Sequence, residues 1–304
     1  MLSEGQLRVL GAVTEERSVK QLADELGYGE RYTHELTTEL AELDLLGVER
    51  RGRKKYVEPM EATPAVMYRD LVTEKPYIDF ADLFGGSMIA VLYALDEPRT
   101  AAEIATHTGL SRSTATRRLK HLANRGMVTQ RHGEYELRTE YARFNEFATA
   151  LVRHEHRVRL RTVTAHGSLV WVAPDSFLAR TSELVDDSAY HQTGLDRLAD
   201  YGLEFHTTSA RYYLWTEGWA PSAVDIACHL LLIDDDSRMR KYTTLFVTHE
   251  GFDEDDLLER AAYYGVESRM SEIVTYLETN GEQPPGYPPW PEFERLAAEY
   301  EVAV

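Results

Sequence analysis

A chain of 304 residues with a net charge of −18 and a single cysteine has room for two or three domains, and no run of 18 apolar residues is present to cross a membrane. The opening Met-Leu-Ser-Glu-Gly lacks a basic stretch followed by an apolar one, so no secretory signal is read. Cys228, alone in Ala-Cys-His-Leu-Leu, reads as a small apolar side chain in a reducing compartment, and the expected location is cytoplasmic.

Residues 1–58 spell a winged helix. Ser3-Glu-Gly-Gln6 and Ser18-Val-Lys-Gln21 are capping-box patterns, in which the cap hydroxyl and the Gln amide satisfy each other's orphan backbone donors at a helix start. A third helix is predicted over Glu30–Leu46, with Leu36, Leu40, Leu43 and Leu46 inward and Gly47 as its stop. Residues 48–57 then form a hairpin with Gly52 at the tip. This third helix carries Glu30, Glu35, Glu39, Glu42 and Asp44, so phosphate repels it. The hairpin is the reverse, with Arg50, Arg51, Arg53, Lys54 and Lys55. The unit is therefore expected to touch DNA by its wing or to pair with another subunit. The alternative is that Arg31, Tyr32, Thr33 and His34 still reach a groove.

Residues 59–86, with Pro59, Pro64 and Pro76, read as a connector holding one short helix near Val66–Val72. Residues 87–138 repeat the winged plan. A first helix spans Ser87–Leu95, and Thr100-Ala-Ala-Glu103 is a capping box. A tight turn follows at His107–Leu110. Ser111 caps a helix running to Arg125, with Leu119 and Leu122 inward and Gly126 as the residue that ends it. From Ser111 to Arg125 there are five Arg or Lys and no Asp or Glu. In such folds this second helix lies in the major groove. Ser113, Thr114, Thr116 and His121 supply hydrogen-bonding groups. Arg112, Arg117, Arg118 and Lys120 neutralise phosphates, and an Arg binds guanine bidentately. The strands Met127–Gln130 and Glu134–Leu137 present Arg131 and His132 at the hairpin tip to the flanking backbone.

Residues 139–166 are predicted as a linker helix. Tyr141, Phe144, Phe147, Ala148, Leu151 and Val152 recur every three or four residues, a face that either pairs two subunits or packs on its own chain. His154 and His156 are two apart, share no helical face and are not read as a metal site. From Gly167 onward, 26 Asp and Glu stand against nine Arg and Lys. The elements expected here are a strand at Leu169–Val172, a helix from Ser176 capped by Asp175, a short helix at Gly194–Tyr201 and a hairpin of Leu203–Thr208 with Arg211–Trp215. Helices follow at Pro221–Ile233, Asp253–Tyr264, Ser268–Leu277 and Glu292–Tyr300, with a stiff linker over Pro284–Pro291 before the last. Asp234–Asp236 and Asp253–Asp256 fall at helix ends and read as solvated surface rather than a two-metal site. No nucleotide-binding or hydrolase motif and no metal-ligand spacing is present, so neither catalysis nor a cofactor is expected. The predicted fold class is mostly α with small β-hairpin wings: two winged helix-turn-helix domains followed by an acidic α+β domain, residues 167–304, that serves as an effector or partner-binding unit.

The stretches Thr100-Ala-Ala-Glu-Ile-Ala, Gly109-Leu-Ser-Arg-Ser-Thr-Ala-Thr-Arg-Arg-Leu and Leu122-Ala-Asn-Arg-Gly-Met-Val resemble the MarR/ArsR-like transcription regulators of archaea. The stretches Tyr190-His-Gln-Thr-Gly-Leu, Val224-Asp-Ile-Ala-Cys-His-Leu-Leu and Leu257-Leu-Glu-Arg-Ala-Ala-Tyr-Tyr-Gly more weakly resemble the domain after the winged helix in AbiE-type antitoxins. In that family the winged helix represses its own operon and the other domain counters a nucleotidyltransferase toxin; a second winged helix departs from that pattern. Of the 33 Lys and Arg, 27 are Arg and six are Lys, and abundant acid with scarce Lys resembles proteins of salt-in halophilic archaea. In that setting the overall acidity reflects solvation, and local charge reports the DNA site. These resemblances imply a homodimeric, non-enzymatic repressor of a halophilic archaeon that binds double-stranded DNA. The alternatives are an antitoxin-like protein whose C-terminal domain binds a partner protein, and a plasmid or viral DNA-binding protein for replication or partition.

Overall fold

Ser3, Ser18 and Thr100 each accept a hydrogen bond from the third residue onward and start a helix with a full capping box. They open α1 (Glu4–Ala12), α2 (Val19–Leu26) and α7 (Ala101–Thr108) in the computed structural model, which describes residues 1–206, 209–282 and 286–304. The chain divides into two compact units, Met1–Arg159 and Leu160–Val304.

In the first unit the winged plan occurs twice. Strand β1 (Arg17–Ser18) precedes α2, and α3 (Glu30–Glu42) leads into the hairpin of β2 (Leu46–Arg51) and β3 (Lys54–Pro59). The sheet order is β1-β3-β2, antiparallel, with Ser18 opposite Tyr56. The second copy runs α6 (Met88–Tyr93), β4 (Arg99–Thr100), α7, α8 (Arg112–Asn124), β5 (Val128–Arg131) and β6 (Glu134–Leu137), in the sheet order β4-β6-β5. The two-residue strands β1 and β4 are absent from the sequence reading, because so short a run has no periodicity to detect. Helix α3 ends earlier than predicted. Asp44 takes a φ of 53°, the Leu45 amide reaches back to the Leu40 carbonyl, and Gly47 lies inside β2. The His107–Leu110 turn is shorter too, since α7 extends to Thr108 and Gly109 caps it in the left-handed region.

The segment read as a connector holds two helices: α4 (Thr63–Glu74), which contains the helix expected near Val66–Val72, and α5 (Phe80–Phe84), which was not expected. Pro64 stands in the first turn of α4, where its missing N–H costs nothing, and Pro76 follows the helix end. Tyr68, Phe80 and Phe84 are buried with Phe144 and Phe147 of α9 (Ala142–Arg161). The Phe84 and Phe147 rings stack at 5.5 Å and the Phe80 and Phe144 rings meet edge-on at 5.6 Å. Asn145 donates its side-chain amide to the Leu92 and Tyr93 carbonyls, which fixes α9 to α6. The apolar face of α9, one of whose readings was subunit pairing, is thus filled by its own chain: Phe144, Phe147, Ala148 and Leu151 have no exposed surface.

The second unit carries an antiparallel sheet, ordered β7-β8-β10-β9, of β7 (Ser168–Ala173), β8 (Ser176–Thr181), β9 (Tyr190–Thr193) and β10 (Arg211–Thr216). Ser176–Thr181 was expected to be helical. It is a strand joined to β7 through Pro174-Asp175, with Ala173 opposite Ser176, and its residues Ser176 through Ala179 are buried on both faces, which erases any alternation. The expected hairpin partner of β10 is not a strand over residues 203–206; Thr207 and Thr208 lie outside the described residues. β10 pairs instead with β8 and β9. Residues 195–201 form a 3₁₀ helix. Helices α10 (Ala223–Ile233), α11 (Ser237–Glu250), α12 (Glu254–Tyr264), α13 (Glu267–Glu278) and α14 (Trp290–Glu299) complete the unit. Residues 283–285, part of the stretch read as a linker, lie outside the described residues, and its end, Trp290–Pro291, is the first turn of α14. No described helix is long and apolar enough to cross a membrane.

Candidate nucleic-acid interface

Helix α8 has three stripes. Ala115, Leu119 and Leu122 are buried and anchor it. Ser113, Thr116, Arg117 and Lys120, at positions i, i+3, i+4 and i+7, are exposed on the opposite side together with Arg112 at the first turn. No carboxylate among the described residues pairs with Arg112, Arg117 or Lys120. The third stripe holds Thr114, Arg118 and His121, all half-buried. Arg118 donates its Nε to Ser87 Oγ at 2.9 Å. His121 lies against Arg125, which also bridges Asp82 at 3.1 Å. Burial, with the charge of Arg125, lowers the His121 pKa, so this ring adds no positive charge at neutral pH. Of the side chains named from the sequence, Arg118 and His121 therefore serve the protein's own packing, and the exposed row serves the solvent side.

The amino end of α8 is rich in hydroxyls. Ser111 Oγ accepts from the Thr114 amide and stands 3.0 Å from both Ser113 Oγ and Thr114 Oγ1. Free backbone N–H groups and the helix dipole make such an end favourable for a phosphate. At the wing tip His132 and Gly133 both have positive φ, 51° and 93°, the geometry of a tight two-residue hairpin turn. Arg131 and His132 are exposed there, with Glu134 opposite Arg131 in the ladder.

The N-terminal unit is arranged differently. On α3, Glu30, Glu35, Glu39 and Glu42 are exposed, and Arg31 is held by Glu35 at 3.0 Å. Of the four residues weighed as groove contacts, Arg31 and Tyr32 remain exposed and Thr33 and His34 are turned inward. Thr33 is buried on the Gly29 carbonyl, His34 meets Lys55, and Tyr32 packs edge-on to Tyr28. The wing cations also separate. Arg51 is bidentate to Glu16 at 2.8 and 2.7 Å and bonded to Glu49. Arg50 donates to the Gly52 carbonyl. Arg53 and Lys54 at the tip are exposed without a carboxylate partner among the described residues. Lys20, which the sequence reading passed over, shares their groove; its position one residue into α2, beside the cap on β1, is the signal that marks it.

In the second unit the acidic clusters act locally. Asp236 caps α11 and Asp253 caps α12, while Asp235 pairs with Arg240 at 2.8 Å. Ser222, Arg260 and the buried Tyr264 all bond to the buried Asp225, and His229 Nδ1 meets Thr193 Oγ1 at 2.8 Å. Arg260 lies over the rings of Trp219, Tyr263 and Tyr264. These contacts tie β9, α10 and α12 together.

The first unit thus has the architecture of tandem winged helices, one with a cationic helix and one with an acidic helix. Two family models match parts of the chain: the HVO_A0261 N-terminal domain over residues 86–144, which covers the central winged helix, and HVO_2833_C, C-terminal, over residues 187–302. No curated protein matches the chain.

Proposed function

We propose that this protein is a sequence-specific duplex-DNA-binding regulator of transcription, acting in the cytoplasm as a repressor, with α8 as the helix that enters the major groove. The observation that carries the reading is the exposed row Ser113, Thr116, Arg117 and Lys120, joined by Arg112, on a helix with no Asp or Glu in a chain of net charge −18. Such a row gives phosphate contacts for register and an Arg for base readout. Arg131 and His132 extend the contact from the wing tip. The reading is of a binding protein and not of an enzyme: Asp236 and Asp253, from the two acidic runs, are occupied as helix caps. A homodimer remains the natural partner of a two-fold operator, and it uses a surface other than the filled face of α9. The test is equilibrium binding of the full chain to its own promoter DNA and to a shuffled duplex. A preference for the promoter that Arg117→Ala removes supports the reading; equal binding to both duplexes, or none, overturns it.

A further inference from the structure

The N-terminal winged helix holds a trough of about 860 Å³ between the start of α2, the first half of α3 and the wing. Lys20, Arg50, Arg53, Lys54 and Lys55 line it, against two carboxylates, Asp24 and Glu30. Two contacts set its cations in place. Lys55 Nζ lies on His34 Nε2, and Arg50 donates its Nε to the Gly52 carbonyl. Arg51, by contrast, is turned to Glu16 and Glu49 and is not part of the lining. The solvent side of α3 carries Glu30, Glu35, Glu39 and Glu42, so this helix is repelled from the floor of a DNA groove.

We infer that this trough is a phosphate clamp that holds the sugar-phosphate backbone of duplex DNA without reading its sequence, while α3 stays out of the groove. The inference rests on the reading of α8 as the base-contacting helix and assigns the N-terminal unit a separate task, affinity without specificity. A trough of Lys and Arg side chains recognises phosphate charge, and phosphate contacts position a protein without carrying sequence information. The exposed tip residues Arg53 and Lys54 are the ones to test, because, unlike Arg50 and Lys55, neither side chain is held by a hydrogen bond among the described residues.

The experiment measures binding of the full chain to promoter and shuffled duplexes across a KCl series, for the wild type, Arg53→Ala/Lys54→Ala and Arg117→Ala. Each phosphate contact adds about 0.9 to the slope of log affinity against log salt. The double variant is expected to lower that slope by about 2 on both duplexes and to keep the ratio of the two affinities, with an unchanged melting curve. A full wild-type slope in the double variant overturns the clamp. If Arg117→Ala at the same time loses promoter preference, the α8 reading stands and only the clamp fails. If the double variant lowers the slope while Arg117→Ala keeps the preference, the clamp stands and α8 is not the reader. If the wild type binds neither duplex, both fall. Inorganic pyrophosphate distinguishes a free anion from a polymer: displacement of DNA by micromolar pyrophosphate from the wild type but not from the double variant assigns the trough to a small anion and overturns the backbone clamp.

Discussion

At the scale of single residues, the two neighbouring arginines of α8 have different surroundings although the sequence makes them equivalent. Arg117 is exposed, and Arg118 is tied to Ser87. Arg117→Ala is expected to cost about 1–3 kcal/mol of binding and to relax base preference. Arg118→Ala is expected to leave that preference in place and to lower the melting temperature instead; thermal melting and duplex binding of both variants check this. A second residue-scale prediction concerns pH. Burial pushes His229 down to about 3, so the folded chain keeps it neutral while the unfolded chain protonates it near its ordinary value of 6.5. The folded pKa lies below the unfolded one. The unfolded state therefore binds the extra proton, and stability is complete above about pH 6.5 and declines as pH falls. The decline is at most about 1.4 kcal/mol per pH unit. Denaturant melts of His229→Gln are expected to be flatter than wild type between about pH 6 and 4. Asp225 adds loss in a lower window. Against the upward push of burial, Ser222 and the charge of Arg260 hold its carboxyl below the usual range, so its contribution is lost only under more acid conditions.

At the scale of elements, capping and helical spacing carry most of what the sequence makes legible. Ser3, Ser18, Thr100 and Ser111 mark four helix starts, and Gly126 marks a stop, because caps are local chemistry between residues two to four apart. The elements that escaped have non-local causes. β1 and β4 exist only because β3 and β6 are beside them. Ser176–Thr181 is a strand because both its faces are covered, and helix α11, with its apolar side at Met239, Leu245 and Phe246, follows an acidic run and opens on a polar, basic turn that hides its spacing. The site divides likewise: the basic helix is legible as composition, but that Arg118 is turned inward depends on Ser87, 31 positions away. The α4–α5 segment is the sharpest case, since its prolines suggested a spacer and its aromatics turn out to be core. Phe84→Ala removes a ring that touches Tyr68, Phe80, Phe144 and Phe147, and is expected to cost roughly 3–5 kcal/mol. Calorimetry checks it; a loss under about 1 kcal/mol would mean that α4 and α5 do not hold the unit together.

For the whole molecule, a net charge of −18 places strong self-repulsion on the compact state. Salt screens it, with a Debye length of about 10 Å at 0.1 M and 3 Å at 1 M. The melting temperature is accordingly expected to rise from dilute buffer to molar KCl, and a temperature that does not change would contradict the composition's reading as an adaptation to salt. The same screening weakens phosphate contacts, so the proposed reading requires that in strong salt specificity come from base contacts on α8. The most direct test of that central claim is the affinity of the full chain for its own promoter duplex relative to a shuffled one, measured in molar KCl with the wild type and with Arg117→Ala. The account predicts a preference for the promoter that the substitution reduces roughly 5- to 150-fold, the equivalent of about 1–3 kcal/mol. Equal preference in the two proteins, or none in the wild type, would contradict it.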